Sequence, residues 1–221
     1  MTAAGPFCCA DDLAYAPLAA LLEEAKTRKA TLLVLHGPFV DEQHPTAGSA
    51  ALSVTFDELF EQHVLRTLED FVRGQLDAGG SVTQVVVLPA LRDVHHVPVF
   101  PQPKFSAAIP DKEVRKHLHL LPNPASFEAG GYTFGCSSLD TMMLLTQQEL
   151  SRMAPVQPGQ KPPDRLGRLA PHMDGANAPG KMAAVHAATI GAHVITVRAT
   201  SVAGTTWAAS SAARRPRRSA A

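Results

Sequence analysis

The sequence predicts an α/β fold with parallel strands, because two short apolar runs are separated by a helical pattern. Residues 31–35 read Thr-Leu-Leu-Val-Leu and residues 85–88 read Val-Val-Val-Leu. Short unbroken apolar runs are typical of strands buried on both faces, as in a parallel sheet. An alternation of strand and helix favours parallel strands joined by right-handed crossovers.

The first strand-helix-strand unit begins near residue 1. Residues 3–7 indicate the end of a strand that runs into a turn. Asp11 and Asp12 are expected to cap a helix whose first turn tolerates Pro17. Apolar residues recur at helical spacing in this segment, at Leu18, Leu21, Leu22 and Ala25. The strand at residues 31–35 follows and leads into the loop His36-Gly37-Pro38-Phe39-Val40-Asp41.

The second crossover has the clearest helix signals. Thr55-Phe56-Asp57-Glu58 is a capping box, in which a hydroxyl and a carboxylate satisfy the free amides of a helix start. Gly79-Gly80 is expected to end this helix before the strand at residues 85–88. Pro89 ends that strand because proline has no N–H to donate to a ladder. One side of the helix is apolar: Phe56, Leu59, Phe60, Val64, Leu68, Phe71 and Val72.

After residue 105 the predicted elements are shorter. Residues 117–121 and 132–135 indicate strands, and Gly130-Gly131 indicates the turn before the second of them. Asp140 is expected to cap a helix that extends to Leu150. Residues 153–163 are rich in Pro, Gly and Gln and predict a linker or exposed loop, and residues 164–173 predict a short helix. Beyond Asp174 only residues 194–197 are strand-like.

Charge is distributed unevenly along the 221 residues. The chain has 20 basic and 20 acidic residues. Six of the basic residues and none of the acidic residues follow Asp174. Residues 1–174 therefore contain 14 basic and 20 acidic residues, a net charge of −6. A body of that charge is unsuited to binding a phosphate backbone directly. The basic run Arg214-Arg215-Pro216-Arg217-Arg218 is compatible with a nuclear signal, a nucleic-acid tail or no role.

Several motifs that would indicate a particular class of function are not found in the sequence. The three cysteines, Cys8, Cys9 and Cys136, form no C-x-x-C pair and suit a reducing compartment. The chain has neither an 18-residue apolar run nor a signal-peptide pattern, so no membrane is expected. It also has no glycine-rich phosphate cradle, and Ser137 and Ser138 are not in a nucleophile-elbow context.

The polar loops that follow the predicted strands are the candidate site. Arg92, Asp93, His95 and His96 follow the strand at residues 85–88, where α/β proteins place ligands, and Pro98, Pro101 and Pro103 stiffen the exit. These residues predict either a metal site or a rigid polar loop that shapes an interaction surface.

A dinuclear phosphoesterase needs seven or eight nitrogen and oxygen ligands, and the loops supply few. The loop Ala4-Gly5-Pro6-Phe7 has none, and Pro38 occupies the position of the metal-bridging aspartate before Asp41. Asp93, Arg92 and His95 are therefore expected to form a hydrogen-bonded brace of the loop. His117 and His119 are expected to share one face of a strand in a structural role. We expect no catalytic residue, metal or cofactor.

Residues 88–105 form the most unusual stretch, Leu-Pro-Ala-Leu-Arg-Asp-Val-His-His-Val-Pro-Val-Phe-Pro-Gln-Pro-Lys-Phe. Together with Gly5-Pro6-Phe7, Phe56-Asp57-Glu58-Leu59-Phe60 and Phe134-Gly135, it resembles the accessory B subunits of DNA polymerase alpha–primase, in their degenerate calcineurin-like phosphoesterase domain. The resemblance covers roughly residues 3–173. Its motif loops contain Gly37, Pro38, Phe39, Arg92, Asp93, His95, His96, Phe100, Pro101, Gln102 and Pro103.

The resemblance implies a non-catalytic scaffold, in which the metal positions Pro38, Asp41, Asp93, His95 and His96 are degenerate. It implies binding to the C-terminal domain of the polymerase alpha catalytic subunit and through it to primase. DNA is then contacted only indirectly, during primer synthesis in the nucleus. The implied fold is an incomplete calcineurin-like phosphoesterase sandwich, with mixed sheets flanked by helices and a disordered C-terminal tail.

The predicted division of the chain is a partial phosphoesterase-like domain at residues 1–153, a linker and short helix at 154–174, and a disordered tail at 175–221. The family's N-terminal helical region and oligonucleotide-fold domain have no counterpart in the sequence, nor do its later strands after Met173. Two alternatives stay open: an active metal-dependent phosphoesterase with rearranged ligands, and a truncated product without a working role.

Overall fold

The computed structural model describes residues 1–47, 52, 54–140, 144, 147–148, 182–184, 194–199 and 208–209. These residues form a parallel sheet, an antiparallel sheet and helices. The mixed α/β class predicted from the sequence is thus confirmed.

Four strands form the parallel sheet in the order β1-β2-β3-β4, namely β1 (Thr2–Ala4), β2 (Leu32–His36), β3 (Gln84–Leu88) and β4 (Leu118–Leu120). All neighbouring pairs are parallel. The predicted runs at residues 31–35 and 85–88 correspond to β2 and β3, which pair over five residues from Leu32 with Gln84 to His36 with Leu88. The β-branched residues of β3 suit this central position, where both faces of the strand are covered.

The first crossover helix, α1 (Ala16–Thr27), begins later than predicted. Its N-cap residue is Tyr15, in a left-handed conformation with φ 54°, and no side chain caps the helix. Asp12 instead accepts a hydrogen bond from the Ala14 amide, two residues along the chain. The expectation that Asp11 and Asp12 cap the helix was therefore wrong, because this local turn uses the Asp12 carboxylate. Proline lies in the first turn, as predicted.

The second crossover is one continuous helical segment: α2 (Phe56–Leu59), a π-helical stretch (Phe60–Leu65) and α3 (Arg66–Asp77). The predicted capping box is confirmed. The Thr55 hydroxyl accepts from the Glu58 amide at 3.2 Å, and the Glu58 carboxylate accepts from the Thr55 amide at 2.8 Å. Gly79, with φ +66°, follows the end of the helix, where glycine accommodates the left-handed backbone.

The second sheet is antiparallel, in the order β7-β8-β6-β5-β9. Its central hairpin joins β5 (Ala125–Ala129) to β6 (Tyr132–Ser137) through Gly130 and Gly131, both with positive φ. A two-residue turn with two positive φ values matches the right-handed twist of paired strands. The remaining strands are β7 (Met182–Ala184), β8 (Val194–Ala199) and β9 (Ala208–Ala209).

Three segments of the predicted disordered tail are thus strands. β8 pairs with β6 over six residues, and β9 pairs with β5. Residues 194–197, the strand-like stretch identified in the sequence, lie within β8 and have in β6 a partner that local sequence patterns do not reveal. The division of the chain that places a tail at residues 175–221 stays a prediction. The rest of residues 175–221, the predicted linker at 153–163 and the predicted helix at 164–173 lie outside the described residues.

Only fragments of the predicted helix after Asp140 are described. The Leu144 amide donates to the Asp140 carbonyl at 3.0 Å, which is the first hydrogen bond of a helical turn. Residues 147 and 148 are also helical. A 3₁₀ turn, Val114–Lys116, precedes β4. Within the described residues, no helix has the length and apolarity needed to cross a bilayer.

The parallel sheet lies between two apolar layers. Leu33, Leu35, Val85 and Val87 belong to the core shared with the helices. Val34, Val86 and Leu88 pack with Phe127 and Cys136 of the antiparallel sheet. Alternate residues of a strand point to opposite faces, so β2 and β3 contribute to both cores. The order of the layers is therefore helices, parallel sheet and antiparallel sheet.

A substitution at Gly5 tests how closely the loops above the sheet approach one another. A Cβ at this position would lie 1.9 Å from the Pro38 carbonyl oxygen, a backbone atom that cannot move alone. We expect Gly5→Ala to lower the free energy of unfolding by about 2–3 kcal/mol in urea denaturation, as for other overpacked sites.

Gly74→Ala is the matched control. Gly74 lies in α3, and a Cβ there would meet no other atom within 4 Å. This substitution should raise the free energy of unfolding by about 0.5–1 kcal/mol, because alanine is the better helix former. Equal effects of the two substitutions would contradict the described packing of the loops.

Candidate functional site

Three loops converge above the carboxyl ends of β1, β2 and β3: the first loop (residues 5–7), the second loop (residues 37–42) and the third loop (residues 89–103). They are held close by backbone hydrogen bonds, from Gly5 N–H to the His36 carbonyl and from Gly37 N–H to the Leu88 carbonyl, both 2.9 Å. A Cβ on Gly37 would lie 2.2 Å from the Asp93 carboxylate and 2.8 Å from the Ala90 amide nitrogen. Glycine is therefore required at position 37 for the second and third loops to meet.

The carboxylate of Asp93 joins the second and third loops. Its Oδ1 accepts from the amides of Phe39 at 2.5 Å and Val40 at 3.1 Å. Its Oδ2 accepts from the Ala90 amide at 2.7 Å. The residue is buried, with 1% of its surface exposed. Asp93 thus satisfies three main-chain donors that would otherwise be buried without partners.

Burial also changes the protonation of this group. Loss of solvent raises the pKa of Asp93 to about 7, and the hydrogen bonds from Ala90, Phe39 and Val40 act in the opposite direction. The nearby Asp41 carboxylate raises the pKa further. A carboxyl group with this pKa binds a divalent cation less readily than an exposed carboxylate, because the proton competes with the metal.

Asp41 has a different partner, the guanidinium of Arg92. Arg92 donates to both carboxylate oxygens, with the Nε to Oδ1 distance 3.1 Å and a second bond from Nη2 to Oδ2. The two loops also pair through their main chains, since the Glu42 amide donates to the Arg92 carbonyl and the Val94 amide to the Val40 carbonyl. This bidentate pair fixes the orientation of the Asp41 side chain.

His95 lies between two aromatic rings. Its imidazole stacks on Phe60 with centroids 4.4 Å apart and on Phe105 with centroids 5.0 Å apart. Both ring nitrogens are buried and have no hydrogen-bond partner among the described residues. Burial, and to a smaller extent the neighbouring His96, lowers the pKa of His95 to about 4. The ring is therefore neutral near pH 7 and packs as an aromatic group.

Two further histidines bind main-chain carbonyls. His96 Nε2 lies 2.7 Å from the Pro103 carbonyl oxygen, to which it can only donate. His44 accepts from the Thr46 amide at Nδ1, so its proton is on Nε2, which donates to the Cys9 carbonyl at 2.6 Å. These bonds connect the ends of the loops and use ring nitrogens that a metal would need.

A buried amide network supports the third loop from below. Gln102 Nε2 donates to the carbonyls of Ala90 and Val97, both at 3.0 Å. The main chains of Gln102 and Asn123 exchange two hydrogen bonds, and Asn123 Oδ1 accepts from the Ser138 amide at 3.0 Å. The third loop is thereby attached to the start of β5 and the end of β6.

The second loop is fixed by its aromatic residue. Phe39 is fully buried, stacks on Phe7 and meets Phe60 and Phe105 edge to face. Its carbonyl accepts from the Tyr15 hydroxyl at 2.9 Å, and burial raises the pKa of that hydroxyl above its usual range. The motif residues Pro38 and Pro101 each follow a cis peptide bond.

The outer surface of the third loop is apolar. Val94, Val97, Val99 and Phe100 are exposed, with 53% of Val99 and 49% of Phe100 accessible. Pro98 and Pro103 are also exposed. An exposed apolar cluster on a firmly held loop is typical of a protein-binding surface.

The site residues do not fit a dinuclear metal centre. The structure brings Asp41, Asp93, His95 and His96 to one loop cluster, but Asp41 and Asp93 bind Arg92 and the main chain. Within the described part of the chain, no group of three or more His, Cys, Asp or Glu side chains has the arrangement of a metal site.

His117 and His119 are bound by the same glutamine. Gln84 Nε2 donates to His117 Nδ1 at 2.8 Å, and Gln84 Oε1 accepts from His119 Nε2 at 3.0 Å. Burial is the main cause that lowers the pKa of His119 to about 4, and the neighbouring His117 lowers it further. The two rings therefore connect β4 and the residue before it to Gln84 of β3, in agreement with the structural role predicted for them.

Comparison with known proteins places the chain in a family. The model of the B-subunit family of DNA polymerases alpha and epsilon matches residues 1–173. The chain belongs to this family. The resemblance expected from residues 88–105 is thus confirmed.

The similar curated proteins are B subunits of DNA polymerase alpha. That of Bos taurus is 30% identical over 173 residues, covering 78% of this chain and 26% of the relative. That of Mus musculus is 30% identical, covering 78% of this chain and 27% of the relative. That of Drosophila melanogaster is 32% identical, covering 68% of this chain and 22% of the relative. The chain spans about a quarter of the length of these relatives.

Sequence reasoning found the loops but assigned the wrong partners within them. The predicted brace exists, but Arg92 pairs with Asp41 instead of Asp93, and His95 forms no hydrogen bond within the described residues. Asn123 was missed altogether, and the only local signal for it was the turn-forming Asn123-Pro124 pair.

Asp93→Asn should destabilise the fold by about 2–3 kcal/mol in urea denaturation near pH 7. An amide side chain keeps one acceptor oxygen but points an NH₂ group at a buried amide, which leaves donors unpaired. Asp70→Asn, at an exposed aspartate 3.6 Å from Arg73, is the control and should change stability by less than about 1 kcal/mol. A small effect at Asp93 would show that its three hydrogen bonds are dispensable.

His95→Phe should stabilise the chain by about 1 kcal/mol near pH 7, because it removes buried nitrogens without partners. The folded-state pKa of about 4 lies below the ordinary value of 6.5, so the unfolded chain binds the proton first and stability falls as pH drops through this window.

The advantage of His95→Phe should therefore grow by on the order of 1–2 kcal/mol near pH 5, as measured by urea denaturation at both pH values. The contribution of Asp93 to stability changes in the opposite direction, because its raised pKa favours the folded state as pH falls. The variant must therefore be compared with wild type at each pH. His63→Phe changes an exposed imidazole and is the control. Equal stability of His95→Phe and wild type at both pH values would contradict the described burial.

Proposed function

We propose that the chain is a non-catalytic accessory subunit of the DNA polymerase alpha–primase complex. In this proposal it binds the C-terminal domain of the catalytic polymerase subunit and, through that subunit, primase. It acts in primer synthesis in the nucleus and contacts DNA only indirectly. Family membership and the names of the similar proteins support the general role in replication.

One observation supports the proposal most strongly: the carboxylates of the loops are hydrogen-bonded to donors of the same chain. Asp93 accepts three main-chain hydrogen bonds, and Asp41 accepts both donors of Arg92. A hydrolytic centre needs these oxygens free for metal ions and water. Loops that instead bind their own main chain are suited to presenting a fixed surface to another protein.

The surface proposed for the partner is the apolar part of the third loop. Val94, Val97, Val99 and Phe100 are exposed, while Gln102 holds the loop from within. Binding to a surface that is already ordered loses little conformational entropy. The exposed guanidinium of Arg92 and the ring of His96 would form the polar rim of this surface.

The layers of the fold are compatible with this proposal. We infer a calcineurin-like phosphoesterase sandwich, supported by the order of helices, parallel sheet and antiparallel sheet. In that fold Pro38, Asp41, Asp93, His95 and His96 stand at former metal positions. The domain at residues 1–153 and the following segment at 154–174 remain our proposed division of the chain.

Co-purification with the C-terminal domain of the polymerase alpha catalytic subunit from the same organism tests the proposal. We expect the wild-type chain to retain the partner and Val99→Glu to weaken binding at least about tenfold, because it places a charge in an apolar contact. Tyr132→Glu is the matched control, since Tyr132 is exposed on the antiparallel sheet, 49% accessible. Full retention by Val99→Glu would contradict the proposed surface.

A phosphodiester hydrolysis assay with added Mn²⁺ tests the non-catalytic part of the proposal. We expect no turnover by the wild-type chain above that of free metal. Turnover that Asp93→Asn abolishes, while Asp70→Asn retains it, would show an active metal-dependent phosphoesterase and overturn this part of the proposal.

A further inference from the structure

A groove of about 570 Å³ lies between β4 and the segment at residues 104–109, which follows the third loop. Its two sides are joined at both ends. At one end the main chains of Gln102 and Asn123 exchange two hydrogen bonds, and at the other Arg115 donates to the Ile109 carbonyl from Nε and Nη2. The groove is therefore preformed, and its volume is within the range of about 300–1,000 Å³ that is typical of small-ligand sites.

The interior of the groove is apolar. Phe105, Ile109 and Leu118 form its innermost lining, with 3%, 6% and 1% of their surfaces exposed. Leu120 and Leu121, at the carboxyl end of β4, also line it and are partly exposed. Ligands of α/β sheets bind outside the carboxyl ends of strands. An apolar ligand body can therefore cover Leu120 and Leu121 on a lining that is already ordered.

Two cations line the groove without a carboxylate partner. Among the described residues, neither Lys104 nor Arg115 forms an ion pair, and the described lining contains no aspartate or glutamate. The acids nearest to Arg115 in the sequence, Asp111 and Glu113, are each paired with another cation. His119 also lines the groove, but burial lowers its pKa to about 4, so it adds no charge near pH 7. The groove is thus suited to an anion.

The two cations lie towards opposite ends of the groove. The Arg115 guanidinium is bound at Ile109, whereas Lys104 follows closely after Gln102, which is at the other junction. The chain from Lys104 to Ile109 spans at most about 18 Å. Three of the five N–H donors of Arg115 remain after its two bonds to Ile109. A ligand that meets both cations is therefore elongated and carries an anionic group at each end.

We propose that the groove binds an elongated organic dianion, in which an apolar chain separates two carboxylates. One carboxylate accepts hydrogen bonds from Arg115, the other pairs with Lys104, and the apolar chain covers Leu120 and Leu121. This site lies outside the cluster of the three loops, and the inference is independent of the partner proposed above for the third loop.

The lining favours such a ligand over a single-stranded nucleic acid. Proteins bind single strands by stacking the bases on aromatic side chains. The phenyl ring in the described lining, Phe105, is 3% exposed and offers no face on which a base could stack. Residues 1–174 also carry a net charge of −6, from 14 basic and 20 acidic residues, so a long polyanion is repelled around the groove. A small dianion avoids most of this repulsion.

NMR titration of the full chain with straight-chain dicarboxylates, from butanedioate to tetradecanedioate, tests the proposal. We expect chemical-shift changes at the Arg115 Nε–H group and at the Leu120 and Leu121 amides. Affinity should rise with chain length until the two carboxylates reach both cations. The tightest-binding member should exceed butanedioate in affinity at least about tenfold, because only the longer chain buries apolar surface.

Two further probes of the same chain length test the charge selection. The monocarboxylate should bind about tenfold more weakly than the dicarboxylate, because it leaves one cation without a partner. The diamine should cause no shift in the groove, because its charges repel both cations.

Lysine variants locate the charge contact. Lys104→Ala should weaken binding of the tightest dicarboxylate about tenfold, to the level of the monocarboxylate, whereas Lys104→Arg should retain it. Lys112→Ala is the matched control, since Lys112 is an exposed lysine outside the lining of the groove. This substitution should leave the affinity unchanged.

Several outcomes would overturn the proposal. Equal affinity for the dicarboxylate and the monocarboxylate would exclude a site that uses both cations. Equal weakening by Lys104→Ala and Lys112→Ala would show only a general attraction of anions. Shifts confined to Val99 and Phe100 would assign the binding to the exposed third loop. No shift with any dicarboxylate would also contradict the proposal.

Discussion

The acceptance of three amide hydrogen bonds by the Asp93 carboxylate is the interaction on which the loop region depends. Phe39 and Val40 of the second loop and Ala90 of the third share this one acceptor group. Gly37 makes the approach possible, because a side chain there would occupy the space of the carboxylate. The hydrogen bonds between the second and third loops therefore centre on this one carboxylate.

The same residue types that bind metals in hydrolytic enzymes can stabilise a fold if they find partners inside it. A carboxylate has a limited number of lone pairs, and each one used by a main-chain amide is lost to a metal ion. Asp93 uses both of its oxygens in this way, and Asp41 uses both on Arg92. His95 shows the reverse case, a ring with unused nitrogens but enclosed by Phe60 and Phe105.

The sequence predicted those elements whose signals are local. The capping box at Thr55 and the turn at Gly130-Gly131 depend on a few adjacent residues, and the strand at 85–88 on an unbroken apolar run. The cap of α1 could not be predicted, because Asp12 satisfies a nearer amide. The partner of Arg92 and two of the three partners of Asp93 lie about 50 positions away. Spacing alone cannot choose between such distant donors and acceptors, and the pairing of β8 with β6 was missed for the same reason.

The most direct test of the internal use of these carboxylates is a crystal structure of the full chain grown with Mn²⁺, examined by anomalous scattering at the manganese edge. We expect no manganese peak within bonding distance of Asp41, Asp93, His95 or His96. The Asp93 carboxylate should still accept hydrogen bonds from the amides of Phe39, Val40 and Ala90. Two manganese ions bound by Asp41 and Asp93, with these hydrogen bonds broken, would contradict it.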